Sequence, residues 1–313
     1  MQLIRGLHNF RPEQRGCVAT IGNFDGVHLG HQAVLRHLLE KGREFSLPAT
    51  VVTFEPQPRE FFQPASAPAR LTRLREKLQA MQEVGIERVV VLEFNRRLAA
   101  MPPEQFVEEL LVQGLGARFL SVGDDFRFGR NREGDFQLLR GIGAHQGFEV
   151  EDMNTYRLEA DRVSSTRIRQ LLSDGDLQAA QQCLGRPYRI CGRVAHGDER
   201  GRSIGFPTMN LDLHRIVSPL RGVYAVRVLG LGEQPLAGVA NIGNRPTVAG
   251  DARYLLEVHL FDFDRSVYGE HLQVEFIHKL RDERKFASFE SLRQQIADDA
   301  AAARAILGVP ATP

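Results

Sequence analysis

Val18-Ala19-Thr20-Ile21-Gly22-Asn23-Phe24-Asp25-Gly26-Val27-His28-Leu29-Gly30-His31 passes from a short β-branched run, through a glycine-punctuated turn, into the start of a helical pattern. A strand followed by a glycine turn and a helix puts the turn at the carboxyl end of a strand, where an open parallel sheet collects its ligand. Glycines let the backbone approach that ligand closely, and the helix N-terminus supplies unpaired N–H groups and the positive end of a dipole. His28 and His31 are three residues apart and share a face on a first helical turn, so both can donate to the same phosphate oxygens. Two imidazoles there can offset the charge that builds during phosphoryl or nucleotidyl transfer. The plain alternative is a turn with two idle surface histidines; a zinc pair would need a third ligand, which no neighbour supplies.

Further along the chain, the runs Thr50 to Phe54, Arg88 to Leu92 and Phe119 to Val122 resemble the first one. Helical patterns separate them, over Gln32 to Lys41, over Leu71 to Val84 with apolar residues at 71, 74, 78, 81 and 84, and over Glu104 to Leu111. Strands alternating with helices predict a parallel, doubly wound sheet. After Gly185-Arg186-Pro187 the character changes. Tyr188 to Val194, Gly222 to Leu229, Ala237 to Ile242, Leu255 to Phe261 and Leu272 to Phe276 read as strands divided by Gly, Pro, Asn and Asp turns. They predict a small antiparallel barrel. Ser288 to Leu307 returns to a helical period, with Phe289, Leu292, Ile296, Ala300, Ala303 and Leu307 on one stripe expected to pack on the barrel. The expected domains are residues 1–186 and 187–313.

A chain of 313 residues is long enough for two cores, and 42% hydrophobic with 25% charged residues is ordinary for a soluble protein. A net charge of +1 lacks the strong positive field of a dedicated nucleic-acid binder. Three cysteines, Cys17, Cys183 and Cys191, form no CxxC pair, which fits a reducing compartment rather than a disulfide framework. Neither a signal-peptide core nor a membrane-length apolar stretch stands out, so the expected location is the cytoplasm. The expected partners are small-molecule substrates, with no nucleic acid, no membrane and at most a weak homo-oligomer.

Two hydroxyl-bearing strings add chemistry. Arg162-Val163-Ser164-Ser165-Thr166-Arg167-Ile168-Arg169 reads first as a helix N-cap, but Arg169 returns to the face of Thr166, so hydroxyls and a guanidinium can meet a polyphosphate. Gly205-Phe206-Pro207-Thr208-Met209-Asn210 places a hydroxyl and a carboxamide two residues apart. In an extended segment they share a side, suited either to a hard cation or to finishing a turn.

The His28-Leu29-Gly30-His31 string matches the HxGH signature of nucleotidylyltransferases, and Gly22 to Gln32 resembles the version found in the bacterial bifunctional riboflavin kinase/FAD synthetase family. The resemblance extends over essentially the whole chain. It includes Phe54-Glu55-Pro56-Gln57-Pro58, similar to the family's FxPxP segment, where many members carry His in place of Gln57; no catalytic role is assigned to Gln57. It includes Gly123 to Gly129, similar to a flavin mononucleotide loop and by composition alone an acidic turn with an aromatic clamp. The Ser164 to Arg169 string resembles the family's SSTxxR element for the ATP triphosphate.

In the second half, Gly192 to Gly205 followed by Pro207-Thr208-Met209-Asn210 resembles the riboflavin kinase nucleotide loop and its PTAN motif, with Met209 in place of Ala. Asn241 to Thr247 resembles the NxGxxPT turn, Glu257-Val258-His259 the ExH strand, and Arg281 to Phe286 the flavin-side loop.

The resemblance implies a Rossmann-like nucleotidylyltransferase domain followed by a riboflavin kinase barrel and a C-terminal helix. For adenylyl transfer it implies catalysis by His28, His31 and Arg169. ATP would meet Gly22, Asn23, Phe24, Gly26, Gly30, Arg162, Ser165 and Thr166, and FMN would meet Phe62, Asp125, Arg127 and Phe128. For the kinase it implies Glu257 as general base. ATP would lie on Gly192, Arg193, Gly197, Gly201, Arg202, Gly205, Pro207 and Thr208, flavin on Asn241, Arg281, Glu283 and Phe286, and Mg²⁺ on Thr208 and Asn210. The larger Met209 side chain is expected to point away from the metal and to press on the packing behind it.

The expected function is riboflavin phosphorylation to FMN, then adenylyl transfer from ATP to FMN giving FAD and pyrophosphate. A second reading keeps only the FMN adenylyltransferase, with a flavin-binding or regulatory barrel that Met209 has silenced. A third, a nucleic-acid or protein-binding barrel, sits poorly with the near-neutral charge and the lack of a basic aromatic platform.

Overall fold

The structure is a computed structural model that describes residues 1–123, 125–153, 157–158, 161–195, 206–213, 215, 217–246 and 252–310. Contacts divide it into two units, Met1–Pro68 with Thr72–Ser164, and Ala69–Leu71 with Ser165–Pro313. The helices Ser165–Asp174 and Leu177–Leu184 thus group with the barrel.

The first unit is a six-stranded parallel sheet. Its strands are β1 (Gln2–Arg5), β2 (Cys17–Ile21), β3 (Ala49–Glu55), β4 (Arg88–Glu93), β5 (Ala117–Gly123) and β6 (Glu149–Met153), in the order β1-β4-β3-β2-β5-β6. Every residue of β2 is buried, because helices cover both faces of a parallel sheet and leave its central strands no solvent side. Alternation along each strand divides the side chains between two cores. Cys17, Ala19 and Ile21 pack with Val52, Val90 and the segment Pro103 to Leu115 on one face. Val18, Val51, Val89 and Val91 pack with Leu35, Leu38, Ala80 and Met81 of helices Leu29–Phe45 and Leu74–Val84 on the other. Chain order reverses across β2, which lies between β3 and β5, so the switch point of the sheet lies at the start of the Gly22 to His31 turn.

The outer strands β1 and β6 escaped the sequence reading. QLIR and EVEDM are half-exposed edge segments with too few apolar residues for a visible period. A short pair, β7 (Arg157–Leu158) and β8 (Asp161–Arg162), completes this unit.

The second unit contains a closed antiparallel barrel of β9 (Tyr188–Ala195), β10 (Met209–Asp212), β11 (Gly222–Leu229), β12 (Leu236–Pro246), β13 (Ala252–Leu260) and β14 (His271–Arg281), in the order β10-β13-β12-β11-β14-β9. Leu256 and Val258 are fully buried, while the alternating Glu257 and His259 are half-buried on the opposite face. Val223, Ala225 and Val239 on the outer face meet Ala300 and Ala303 of the C-terminal helix Phe289–Leu307. That helix begins where the sequence places it, capped by Ser288, whose hydroxyl accepts the Ser291 N–H at 3.1 Å. Phe289 departs from the expected stripe: it lies in the first turn, 62% exposed, and the burial begins further along at Asp299 and Ala300.

A buried ion pair fastens this helix. Arg281 grips Asp299 through Nε–Oδ1 at 3.0 Å and Nη2–Oδ2 at 2.7 Å, and Asp299 is 5% exposed. Removing one partner of such a pair leaves a buried charge uncompensated. Asp299→Ala is therefore expected to lower the stability of the barrel unit by about 3 kcal/mol, read from its urea denaturation midpoint.

Candidate functional site

At the first candidate site the chain is bent hard. Phe24 (φ 48°), Gly26 (φ 89°) and Val27 (φ 43°) all lie in the left-handed region, which costs a non-glycine residue about 1–3 kcal/mol. Asp25, buried, holds the bend: its carboxylate accepts the Thr72 N–H at 2.9 Å and the Thr72 hydroxyl at 3.2 Å. Thr72 in turn accepts the Gly26 N–H at 2.9 Å. Phe24 and Val27 tuck into the core behind the turn.

His28 caps the helix Leu29–Phe45, its Nδ1 accepting the His31 N–H at 3.3 Å. The two imidazoles stack at 3.6 Å and 16°, so the sequence spacing does bring them onto one face. Burial pushes His31 well below its ordinary pKa, and the charges of His28 and Lys77 push the same way. Its Nδ1 is buried without a hydrogen-bond partner among the described residues. A neutral imidazole with an unused nitrogen is thus poised beside the helix N-terminus.

Lys77 was missed in the sequence reading. It is fully buried, and its ammonium donates to the Thr53 hydroxyl at 3.4 Å, which donates to the Asn23 carbonyl at 3.5 Å. The signal was present: 77 falls three after Leu74 and four before Met81, inside the apolar face rather than opposite it. Gln57 is also buried, and its Nε2 has no hydrogen-bond partner among the described residues.

The residues expected to meet FMN separate by environment. Phe62, 62% exposed, lies edge-on to Phe61 and Phe94 in an open aromatic cluster. Asp125 accepts from Arg162 at 2.9 Å, bringing together two positions far apart in the chain. Arg127 donates to the Phe126 carbonyl. Phe128 is a core residue packed on Phe106 and Phe126, so it braces the loop from behind. Within the second unit, Ser165 and Thr166 open the helix that Ile168 and Leu172 anchor, and Arg169 donates to the Ala69 carbonyl at 2.6 Å.

The barrel site is written in strand register. Asn210 of β10 stands opposite Glu257 of β13, and Glu257 stands opposite Asn241 of β12. Opposed residues share a face, so the three polar side chains form one row across three strands. Asn210 is 7% exposed, and its Oδ1 is buried without a hydrogen-bond partner among the described residues. Met209 pairs with Val258 on the other face, as its alternation with Asn210 requires. Arg193 is exposed on β9, and Gly192 beside it admits the Leu211 side chain.

Burial raises the pKa of the Glu283 carboxyl; the Asn241 hydrogen bond and the charges of Arg221 and Arg281 oppose this, and the charge of Glu257 adds to it. A Cβ at Gly243 would overlap the Glu283 carboxylate, so the glycine makes room for it. Arg281 and Arg284 both lie over the Phe286 ring. Burial pushes His259 below its ordinary pKa, with the Pro207 hydrogen bond opposing. Gly197, Gly201, Arg202 and Gly205 lie outside the described residues.

The oxygen donors Thr208 and Asn210 are the kind Mg²⁺ accepts, and the unpartnered Asn210 Oδ1 fits a cation. Among the described residues no cluster of three or more His, Cys, Asp or Glu offers a rival metal site.

Two family models match separate parts of the chain. A FAD synthetase family model matches residues 10–167 and a riboflavin kinase model matches residues 184–307. The bifunctional riboflavin kinase/FMN adenylyltransferase of Escherichia coli (strain K12) is 54% identical over 310 residues, 99% of each chain. The protein of that name from Haemophilus influenzae is 52% identical, over 97% of this chain and 99% of its own. A crystal structure described as a macrolide-efflux protein from Streptococcus pneumoniae superposes with a TM-score of 0.80 at 30% identity, covering 97% of this chain and 99% of that one. No described helix is long and apolar enough to cross a membrane.

The neutral His31 has a thermodynamic consequence. Its folded pKa lies below the ordinary value of 6.5, so below that pH the unfolded chain takes up a proton that the folded chain refuses. Stability present above about pH 6.5 is expected to fall progressively as the pH drops towards the depressed folded value. Thermal denaturation from pH 8 to pH 5 is expected to show a shallower acid loss in His31→Gln than in the unsubstituted protein.

Proposed function

The chain belongs to the bifunctional riboflavin kinase/FMN adenylyltransferase family, and from that membership we propose how its residues perform the two steps. The enzyme phosphorylates riboflavin to FMN and then adenylylates FMN to FAD with release of pyrophosphate. The functional division proposed is residues 1–186 for adenylyl transfer and residues 187–313 for phosphorylation.

In the kinase step, Glu257 takes the proton of the ribityl 5′-hydroxyl as that oxygen attacks the γ-phosphorus of ATP and ADP departs. The observation that carries this assignment is the Asn210–Glu257–Asn241 row, which sets a carboxylate between two carboxamides on one face. Mg²⁺ held by Thr208 and Asn210 would neutralise phosphate charge. Asn241, Glu283, Arg281 and Phe286 are proposed to line the flavin. The Asp299 clamp on Arg281 and the hydrogen bond of Asn241 to Glu283 support a preformed arrangement. Gly192, Arg193, Gly197, Gly201, Arg202, Gly205 and Pro207 keep their proposed ATP roles. Met209 faces away from Asn210, so its bulk does not crowd the proposed metal ligands directly.

In the adenylyl step, the FMN phosphate attacks the α-phosphorus in line, and no enzyme nucleophile is needed. His28, His31 and Arg169 steady the charge that develops, and the Gly22 to Gly30 turn with Arg162, Ser165 and Thr166 holds ATP. Phe62, Asp125 and Arg127 are proposed to meet FMN, with Phe128 supporting their loop. The same proposal has the enzyme working in the cytoplasm on small molecules, with at most weak self-association; the net charge of +1 supports the absence of a nucleic-acid partner.

Given riboflavin, ATP and Mg²⁺, the protein is expected to yield FAD without added FMN; product separation by chromatography checks this. Glu257→Gln is expected to lower FMN formation at least about 100-fold while FAD formation from supplied FMN persists. His28→Ala is expected to stop the sequence at FMN. Equal loss of both activities in either variant contradicts the separation of sites.

A further inference from the structure

His259 is two residues beyond the proposed base on the same face of β13, and it is bound to the chain that carries the proposed metal ligands. The β10–β13 ladder ends with Met209 opposite Val258. One step further, the same register sets Thr208 opposite His259, as Asn210 is set opposite Glu257. The ladder is not continued at Pro207, which has no N–H to donate and whose carbonyl takes a donor from outside it. The His259 Nδ1 supplies it, at 2.9 Å across 52 positions of sequence. A carbonyl only accepts, so Nδ1 carries the proton and donates. The ring is held edge-on by Phe206 at 5.3 Å and by Phe261 at 6.0 Å. Phe261 in turn lies beneath the Arg304 guanidinium, which is paired with Asp262. The imidazole therefore contacts one ring of the segment it binds and one ring of its own stretch of chain.

We propose that His259 is a positioning residue of the kinase site: its hydrogen bond to the Pro207 carbonyl fixes where Thr208 and Asn210 stand relative to Glu257. This rests on the kinase reading above. Coordination by a hydroxyl and a carboxamide is weak without charge, so its strength depends on how well the two oxygens are held before the nucleotide arrives. The segment follows directly on chain assigned to the proposed nucleotide loop, and on its far side it runs into β10, which pairs with β9 and β13. The side-chain bond from β13 ties the chain just in front of the proposed metal ligands, and the reacting hydroxyl needs no contact with it.

The test uses the full-length protein and two substitutions. His259→Leu keeps an apolar filler between Phe206 and Phe261 but cannot donate. His259→Asn places an amide nitrogen near the position of Nδ1 and can restore the donation. For His259→Leu the KM for Mg·ATP in riboflavin phosphorylation is expected to rise about fivefold, the worth of one hydrogen bond, with kcat within about twofold. His259→Asn is expected to recover most of that rise. FAD formation from supplied FMN is expected to be unchanged in both variants, and the retained kcat of riboflavin phosphorylation reports that the barrel unit is folded.

An unchanged KM in His259→Leu overturns the proposal. Equal impairment of Leu and Asn variants overturns it too, since the ring's packing rather than its donation would then matter. A loss confined to kcat would overturn it in favour of a direct part in the chemistry. Absence of FMN formation by the unsubstituted protein is a separate outcome that overturns the kinase reading itself.

Discussion

The register that sets Asn210 of β10 opposite Glu257 of β13, and Glu257 opposite Asn241 of β12, is the constraint on which the barrel site rests. A slip of one residue would turn Asn210 and Glu257 inward and bring Met209 and Val258 out, at the cost of burying polar groups in the interior. The apolar residues Leu211, Leu256, Val258 and Ile242, all fully shielded, oppose that slip. Packing inside the barrel thus determines the geometry of polar groups outside it. The same alternation in the first unit sends Val18 to one core and Cys17 and Ala19 to the other, so that the sheet presents Gly22 at its carboxyl edge.

Polar groups buried near both sites are organised rather than left to solvent. In the first unit, Asp25 and Thr72 hold a turn whose Phe24 and Val27 dihedrals are unfavourable on their own. Lys77 reaches the same turn from beneath through Thr53 and Asn23. These contacts tie the turn to helix Leu74–Val84, so the stacked histidines are placed by residues about fifty positions away as much as by their own helix. In the second unit, the Arg281–Asp299 pair and the space that Gly243 leaves for Glu283 fix the polar groups at the proposed flavin side. Both arrangements follow one rule: a site that stabilises developing charge must have its dipoles fixed beforehand, because reorganising them during the reaction would add to the barrier.

Much of this was legible in the sequence where the signal was local. The central strands are continuous apolar runs because both faces are covered, and the helices carry a 3.6-residue period. The Gly22 to His31 string pointed to phosphate chemistry from residue type and spacing, whereas the Thr208, Asn210 pair alone left a cation site and a turn both open. Edge strands β1 and β6 were illegible, since half-exposed segments alternate too weakly to stand out from loops. Phe289 showed the opposite failure: it has the right period for the helix stripe, yet it lies in the exposed first turn.

What the sequence determined by itself was the two-part organisation, the class of each fold and the short-range pairing of functional groups, because these depend on periodicity and turn chemistry within a few residues. What only the tertiary structure decided was the environment of those groups: the neutral, buried state of His31, the Lys77 ammonium inside an apolar face, the clamp of Asp299 on Arg281 and the bond from His259 to Pro207. Each depends on segments distant in the chain meeting in a space of low polarity, where burial and a single partner set the charge and orientation of a side chain.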